Sequence, residues 1–374
     1  MKPDFAKIVK QFKFEGDFLE VRSHEFGHIH DTYVVRFRKA NGGERRFLLQ
    51  RINHNVFKTP AAVMQNIEKV TTHLRKKIIT AGGNPERETL NLIPTVEGKN
   101  FYKTPGGNYW RAYIFIEGAR TYEVVQSVAH VYHAATAFGQ FQKLLSDFPV
   151  EQLYETIPDF HHTPQRFETF VETAARDVKN RARSAQEEIE FVEKRVQDTS
   201  VLLDLFEQGN LPQRVTHNDT KFDNVMIDDQ TGEGICVIDL DTVMPGLFLY
   251  DFGDSVRSAA NSAAEDEREL AKVCFRLDIF DRLTQGYLDI GRDILTPLEM
   301  DYMSFSAKLI TLEQGMRFLT DHLAGDVYYK IHRENHNLDR CRTQFKLVKD
   351  MEEKFDQMVS IVKKHRQQGA GLVV

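Results

Sequence analysis

Apolar and polar positions change period along the chain, from a strand-like pattern in the first third to a helical one afterwards. Residues 32–37 are rich in β-branched and aromatic side chains, and Ala40-Asn41-Gly42-Gly43 supplies a turn. Residues 46–51 then run back as a partner strand, which predicts a hairpin. After Thr59-Pro60, Val63, Ile67, Val70 and Leu74 recur every three or four residues and predict a helix. Two further β-rich runs, at 101–103 and 109–116, flank the turn Pro105-Gly106-Gly107-Asn108. The expectation for this part is a small sheet with one helix.

From Tyr122 onward the period is helical. Val125, Val128, Tyr132, Ala135 and Phe138 predict one long helix, and the charged run 167–208 predicts a helical hairpin with a solvated Arg- and Glu-rich face. The stretch 267–364 is also mainly helical. One β-hairpin interrupts it: residues 224–227 and 235–238 are apolar, and the turn 228–234 joins them.

At 374 residues the chain exceeds the length that one core usually serves, which agrees with two lobes. A net charge of −6 and a pI near 6.2 leave no electrostatic footprint for nucleic acid or an anionic membrane. Cys236, Cys274 and Cys341 are isolated and odd in number, so neither a disulfide framework nor a CxxC metal site is expected. The first residues hold no apolar leader core, and no stretch approaches the roughly 18 apolar residues that a spanning helix requires. The resulting expectations are small-molecule partners, a reducing cytoplasm, no nucleic acid, no membrane, and a monomer or weak homodimer.

The chemistry concentrates at His217-Asn218-Asp219-Thr220-Lys221-Phe222-Asp223-Asn224 and, across the hairpin, at Val237-Ile238-Asp239-Leu240-Asp241. Phosphoryl transfer needs a carboxylate that takes a hydroxyl proton and oxygen ligands that hold Mg²⁺ against the β- and γ-phosphates of ATP. The spacing predicts that Asp219, Asn224 and Asp239 gather at one end of that hairpin. A lone H-x-D-x-x-x-x-N is common by chance; the hairpin and the second aspartate make it specific.

The pattern H-x-D-x-x-x-x-N, then I-D-x-D, then Tyr250-Asp251-Phe252-Gly253-Asp254, resembles the aminoglycoside phosphotransferase-like kinase superfamily. Segments 26–33, 49–57, 237–246 and 315–321 extend the resemblance to the N-acetylhexosamine 1-kinases. That resemblance implies an α+β, bilobal, protein-kinase-like fold, with a sheet-rich N-lobe at 1–117 and a larger helical C-lobe at 118–374. It implies transfer of phosphate from ATP to the C1 hydroxyl of an N-acetylhexosamine. Asp219 would be the general base, Asn224 and Asp239 the magnesium ligands, and His217 and Asp251 supports of the catalytic loop. His28, Arg317 and Tyr328 would face the sugar, Gly27 would lie in the phosphate loop, and Phe115, Ile116 and Glu117 would flank the adenine.

The chain departs from the protein-kinase pattern at several points. The strand that normally carries a phosphate-binding lysine reads Leu48-Leu49-Gln50-Arg51, so Gln50 or Arg51 takes that place, with Glu68 as a helix partner. A surface role for Arg51 is an equal alternative. No G-x-x-x-x-G-K-[ST] occurs, which excludes a P-loop enzyme. His24-Glu25-Phe26-Gly27-His28 matches H-E-x-x-H, but Gly27 and the nearby strand deny it the helix a zinc protease needs. His161-His162 reads as an exposed helix start, with Thr163 as cap and Pro164 at the first turn. Ser258 borders the acceptor pocket or is a plain surface serine. Two other functions compete: a kinase of a hexose, choline or amino alcohol, and a kinase fold that binds without catalysing.

Overall fold

Alternation of side chains across an antiparallel sheet builds the first part of the molecule. The computed structural model describes residues 3–24, 29–122 and 127–368. Five strands, β1 (Asp17–Ser23), β2 (Asp31–Arg38), β3 (Glu44–Ile52), β4 (Tyr102–Lys103) and β5 (Tyr109–Ile114), lie in the order β1-β2-β3-β5-β4. One face carries Val35, Phe37, Phe47, Leu49, Trp110 and Ala112, which pack with Ile8 and Val9 of the short helix α1 (Phe5–Val9) and with Phe12. The other face carries Thr32, Val34, Leu48, Gln50, Arg111 and Tyr113, in register across the strands. The predicted hairpin and helix are present, the helix as α2 (Pro60–Thr80) with Val63, Ile67, Val70 and Leu74 buried. β1 was not expected from the sequence.

Two compact units divide the chain. The first comprises Met1–Thr121, Asp147–Ile157 and Val225–Pro245; the second comprises Tyr122–Ser146, Pro158–Asn224 and Gly246–Val374. The polar hairpin, Val225–Asp228 with Gly234–Val237, therefore packs with the sheet-rich unit. Its strand Val225–Asp228 also pairs with β6 (Ala119–Arg120).

The second unit is helical. The Val128–Leu144 helix starts from a Ser127 cap whose Oγ accepts the His130 N–H at 3.2 Å; Val125, expected within it, lies outside the described residues. The Met303–Ala324 helix is buried along most of its length. Leu312, Met316 and Leu319 from that helix join Phe170, Phe191 and Phe345 in a core where Phe191 and Phe345 stack at 4.5 Å. Gly253 lets the Phe248–Ala259 helix approach: a Cβ there would sit 2.6 Å from the Ser306 carbonyl oxygen. The long helical hairpin expected at 167–208 is instead broken. The Thr163–Arg176 helix stops at Asp177, left-handed at φ 36°, because its Oδ1 accepts the N–H groups of Arg181 and Ala182 at 2.7 and 3.0 Å. Three short helices follow. Among the described residues no helix is long and apolar enough to cross a membrane.

Candidate active site

In the second unit, a strand ending at Thr216 delivers the loop that carries Asp219. His217 is fully buried, edge-on to Phe138 and Phe141, and its Nδ1 accepts the Asp219 N–H at 3.3 Å. Asp251, in the first turn of the Phe248–Ala259 helix, accepts the backbone N–H groups of His217 and Asn218 at 2.9 and 2.7 Å and the Gln142 amide at 2.5 Å. Burial pushes the Asp251 carboxyl above its ordinary pKa, against the pull of His217 and those donors. Thr220 Oγ1 donates to the Asp251 carbonyl at 2.5 Å, and Asn218 takes a left-handed φ of 64°. The loop is thus held by backbone groups on both sides of Asp219.

Asn224 closes the other end. Its Nδ2 donates to the Asp219 carbonyl at 2.7 Å and to Asp219 Oδ2 at 3.2 Å, which leaves the amide oxygen as the atom it can offer a cation. Lys221 Nζ lies 3.2 Å from the same Oδ2. Lys221 was not singled out from the sequence; its position two residues after Asp219 was the available signal. Asp219 keeps a quarter of its side chain exposed.

In the first unit the unusual feature is a buried polar row on the face of the sheet opposite α1. Register sets Thr32 opposite Gln50 and Gln50 opposite Arg111. Arg111 Nε donates to Gln50 Oε1 at 2.9 Å, and Gln50 Nε2 donates to Thr32 Oγ1 at 3.1 Å. The Arg111 guanidinium forks onto Asp241 at 2.7 and 2.6 Å, fully buried. Burial alone would raise the Asp241 pKa; Arg111 and then His30 outweigh it and hold the carboxyl far below the usual range. His30 Nδ1 accepts the Asn53 N–H at 3.1 Å, so the ring proton sits on Nε2, 3.2 Å from Asp241 Oδ1.

His30, Asp239 and Asp241 bring ligand atoms within 4.8 Å of one another. With His30 Nε2 protonated and Asp241 engaged by Arg111, Asp239 is the carboxylate of this group suited to a cation. It adopts a left-handed φ of 60°, an uncommon conformation for a non-glycine residue that recurs at functional positions. The carboxylate of Asp239 and the amide oxygen of Asn224 are hard oxygen donors, the type that Mg²⁺ takes.

Other expected positions are placed as follows. Arg51 shares the α1 side of β3 with Phe47 and Leu49 and pairs with Asp31, which takes it off the face that Gln50 and Arg111 occupy. Glu68 is exposed on α2; Met64 is the α2 residue that touches Arg111, and Asp241 supplies the carboxylate partner. Arg46 lies 4.0 Å over Phe115 and pairs with Glu117; Ile116 is buried. Gly27, His28 and most of the H-E-x-x-H stretch lie outside the described residues. Ser258 is half-buried and donates to the Ser255 carbonyl at 3.2 Å.

In the second unit Arg317 lies over Phe160 at 5.2 Å and near Tyr329 at 5.9 Å, and Tyr328 packs edge-on to Tyr329 at 4.8 Å. Asp321 shapes that loop by accepting the N–H groups of Val327, Tyr328 and Tyr329 at 2.9, 2.8 and 3.0 Å, and Asn337 Nδ2 at 2.9 Å. The helix start at 162–163 differs from expectation. His162 is the cap, through its Nδ1, while Thr163 Oγ1 turns inward to Glu313. His161 is buried rather than exposed, because its Nδ1 reaches Glu313 Oε1 at 2.8 Å.

Several solved proteins are similar to this chain in fold. An aminoglycoside phosphotransferase from Alicyclobacillus acidocaldarius shares 12% identity over 98% of this chain and 97% of its own, with a TM-score of 0.59. An amicoumacin kinase, solved with AMP-PNP and Ca²⁺, shares 11% identity over 94% and 92%, with a TM-score of 0.57. A choline kinase from Cryptosporidium parvum shares 16% identity over 92% of each chain, with a TM-score of 0.52. At such identities the likeness is one of fold, the bilobal kinase-like α+β fold. The model of the phosphotransferase enzyme family (APH) matches residues 20–283, a span that holds the loop at 217–224, Asp239 and Asp251, and the chain belongs to that family.

Proposed function

We propose that this chain is an ATP-dependent kinase that phosphorylates the C1 hydroxyl of N-acetylhexosamines. The observation that carries the transfer reaction is the loop around Asp219, locked by Asp251 on one side and by Asn224 on the other. Such locking matters because phosphoryl transfer depends on positioning and charge stabilisation rather than on covalent chemistry by the protein. Membership of the phosphotransferase family supports the same reading. The sugar is the finer part, and it rests on the resemblance of segments 26–33, 49–57, 237–246 and 315–321 to the N-acetylhexosamine 1-kinases.

Asp219 orients the C1 hydroxyl and takes its proton as that oxygen attacks the γ-phosphorus; the bond to the β–γ bridging oxygen breaks, and ADP leaves. Asn224 and Asp239 would hold Mg²⁺, which neutralises charge on the phosphates. Phe115, Ile116 and Glu117 flank the adenine, and Arg317 and Tyr328 bind the sugar. Lys221, beside Asp219, offers a positive charge to the transferred phosphoryl group. Arg51 is left out of this site, since Asp31 engages it.

Solved kinases of similar fold include a choline kinase and an aminopropanol kinase, which keeps the amino alcohol reading in play. An acceptor panel of N-acetylhexosamines, hexoses and amino alcohols, assayed for ADP release with Mg-ATP, separates the two. The proposal expects the highest kcat/KM on an N-acetylhexosamine. Preference for choline or an amino alcohol would overturn the sugar assignment, and ATP binding without turnover on any acceptor would favour a binding module.

A further inference from the structure

We propose that Arg166 and His161 are specificity-determining residues of the acceptor site, which together favour an acceptor bearing an uncharged or anionic oxygen group and disfavour a cationic one. This rests on the assignment of Arg317 to the acceptor site made above, and it adds two residues that neither the family pattern nor the sequence motifs single out.

Arg166 closes the first turn of the Thr163–Arg176 helix, half-buried, and its Nη2 donates to the Phe160 carbonyl at 3.2 Å. Arg317 lies over the ring of the same Phe160. Two guanidiniums therefore meet at one aromatic residue. Among the described residues no carboxylate lies within ion-pair distance of either, and Arg166 Nε is buried with no hydrogen-bond partner. The nearest acid, Glu313, is taken by His161 and Thr163 at 2.8 and 2.6 Å. Burial and then the charge of Arg317 push the Arg166 pKa down, as expected of a cation beside another cation without an anion between them.

His161 lies against the same residue. Its ring packs on Phe160 at 4.8 Å and on Tyr250 at 4.9 Å, next in sequence to the Asp251 that holds the catalytic loop. Glu313 fixes the ring through Nδ1, and the opposite nitrogen, Nε2, is buried without a hydrogen-bond partner. A buried polar atom without a partner needs a reason; with Nδ1–H donating to Glu313, Nε2 can accept from a hydroxyl of the acceptor. The acids elsewhere on the Phe248–Ala259 helix do not reverse the charge: Asp254 is forked by Arg257 at 2.8 and 2.7 Å. A site that presents two guanidiniums and a ring nitrogen suits acyl carbonyl, hydroxyl or carboxylate oxygens and repels an ammonium group.

The test compares N-acetylglucosamine with glucosamine, whose free amine is protonated at pH 7, in wild type, Arg166→Met, Arg166→Lys and His161→Asn. Asparagine retains a donor for Glu313 and deletes Nε2. The proposal expects Arg166→Met to raise the N-acetylglucosamine KM about tenfold and to lower the N-acetyl/free-amine ratio of kcat/KM by a similar factor, with the ATP KM unchanged. Arg166→Lys should recover part of the ratio, and His161→Asn should raise the sugar KM with kcat and ATP KM little changed. Melting curves identify a variant that fails to fold, in which case Arg166→Lys carries the comparison. An unchanged ratio in both Arg166 variants, or a wild type that prefers cationic acceptors, would overturn the proposal. If wild type ignores N-acetylhexosamines but prefers another neutral or anionic acceptor, with the same dependence on Arg166, the sugar assignment fails and this inference stands.

Discussion

Replacing Asp241 with asparagine removes one charge from the most deeply buried ion pair among the described residues of the first unit. Arg111 and Asp241 are 2% and 3% exposed at their side chains and meet through two hydrogen bonds of 2.7 and 2.6 Å. Asp241→Asn keeps the shape but leaves the guanidinium without its counter-charge, which costs about 3–5 kcal/mol when one member of a buried pair is lost. Against a typical stability of about 5–15 kcal/mol that is a large fraction. It corresponds to a fall in Tm of about 6–20 °C, at about 2–4 °C per kcal/mol for a unit of this size. The double variant Arg111→Met/Asp241→Leu removes both charges. It still strands Gln50 Oε1 and takes the carboxylate away from His30 Nε2, so it should remain about 1–3 kcal/mol below wild type but well above the sum of the single losses. Urea unfolding of wild type, Arg111→Met, Asp241→Leu and the double variant measures the coupling, with Asp241→Asn read beside them. Because the Asp241 carboxyl is held far below its unfolded pKa, its contribution is complete above the ordinary carboxylate range and is lost as pH falls below it. Additive losses, or an Asp241→Asn protein within about 1 kcal/mol of wild type, would refute this view of the pair.

Two further outcomes follow from the supports of the site. Asp251→Asn offers one oxygen to two backbone N–H groups, and the resulting shift of the loop should lower kcat about 10²-fold or more, read from steady-state kinetics. In wild type the raised Asp251 pKa means that the folded state binds this proton more tightly than the unfolded chain. Stability from this group therefore grows as pH falls through the raised value, while kcat falls there, and a pH–kcat profile shows an acid limb above the ordinary carboxylate range. Asp321→Ala deletes the acceptor of three loop N–H groups; it should cost about 2–4 kcal/mol in urea unfolding and raise the acceptor KM with the ATP KM unchanged.

Contiguity decided what could be read from the sequence. The candidate loop at 217–224 is eight residues long, so residue types and spacing were enough to predict that Asp219 and Asn224 lie together, as they do. The same holds for the polar hairpin, whose turn at Gly232 has a φ of 73° that favours glycine. β1 was invisible because Asp17, Glu20, Arg22 and Ser23 mark it as polar; as an edge strand exposed at both ends it has no apolar pattern to betray it. The place of the missing strand lysine was left between Gln50 and Arg51, since either parity fits a strand whose buried face is unknown. The structure sets Gln50 on the face of Arg111 and Arg51 on the opposite one, through partners far away in sequence, with Arg111 and Asp241 130 residues apart. His161 was misread for the same reason, because Glu313, which draws it inside, lies 152 residues further on. Asp177 shows the converse: a local side chain ended a helix that the apolar period would have continued.

The claim that Asp219 is the base in phosphoryl transfer is tested most directly by the rate of γ-phosphate transfer to N-acetylglucosamine in Asp219→Asn, measured beside Mg-ATP binding to the same protein. Loss of a positioned general base lowers the rate by about 10²–10⁴-fold, so the account predicts a fall in that range with nucleotide affinity within about twofold of wild type. Transfer at close to the wild-type rate would contradict it.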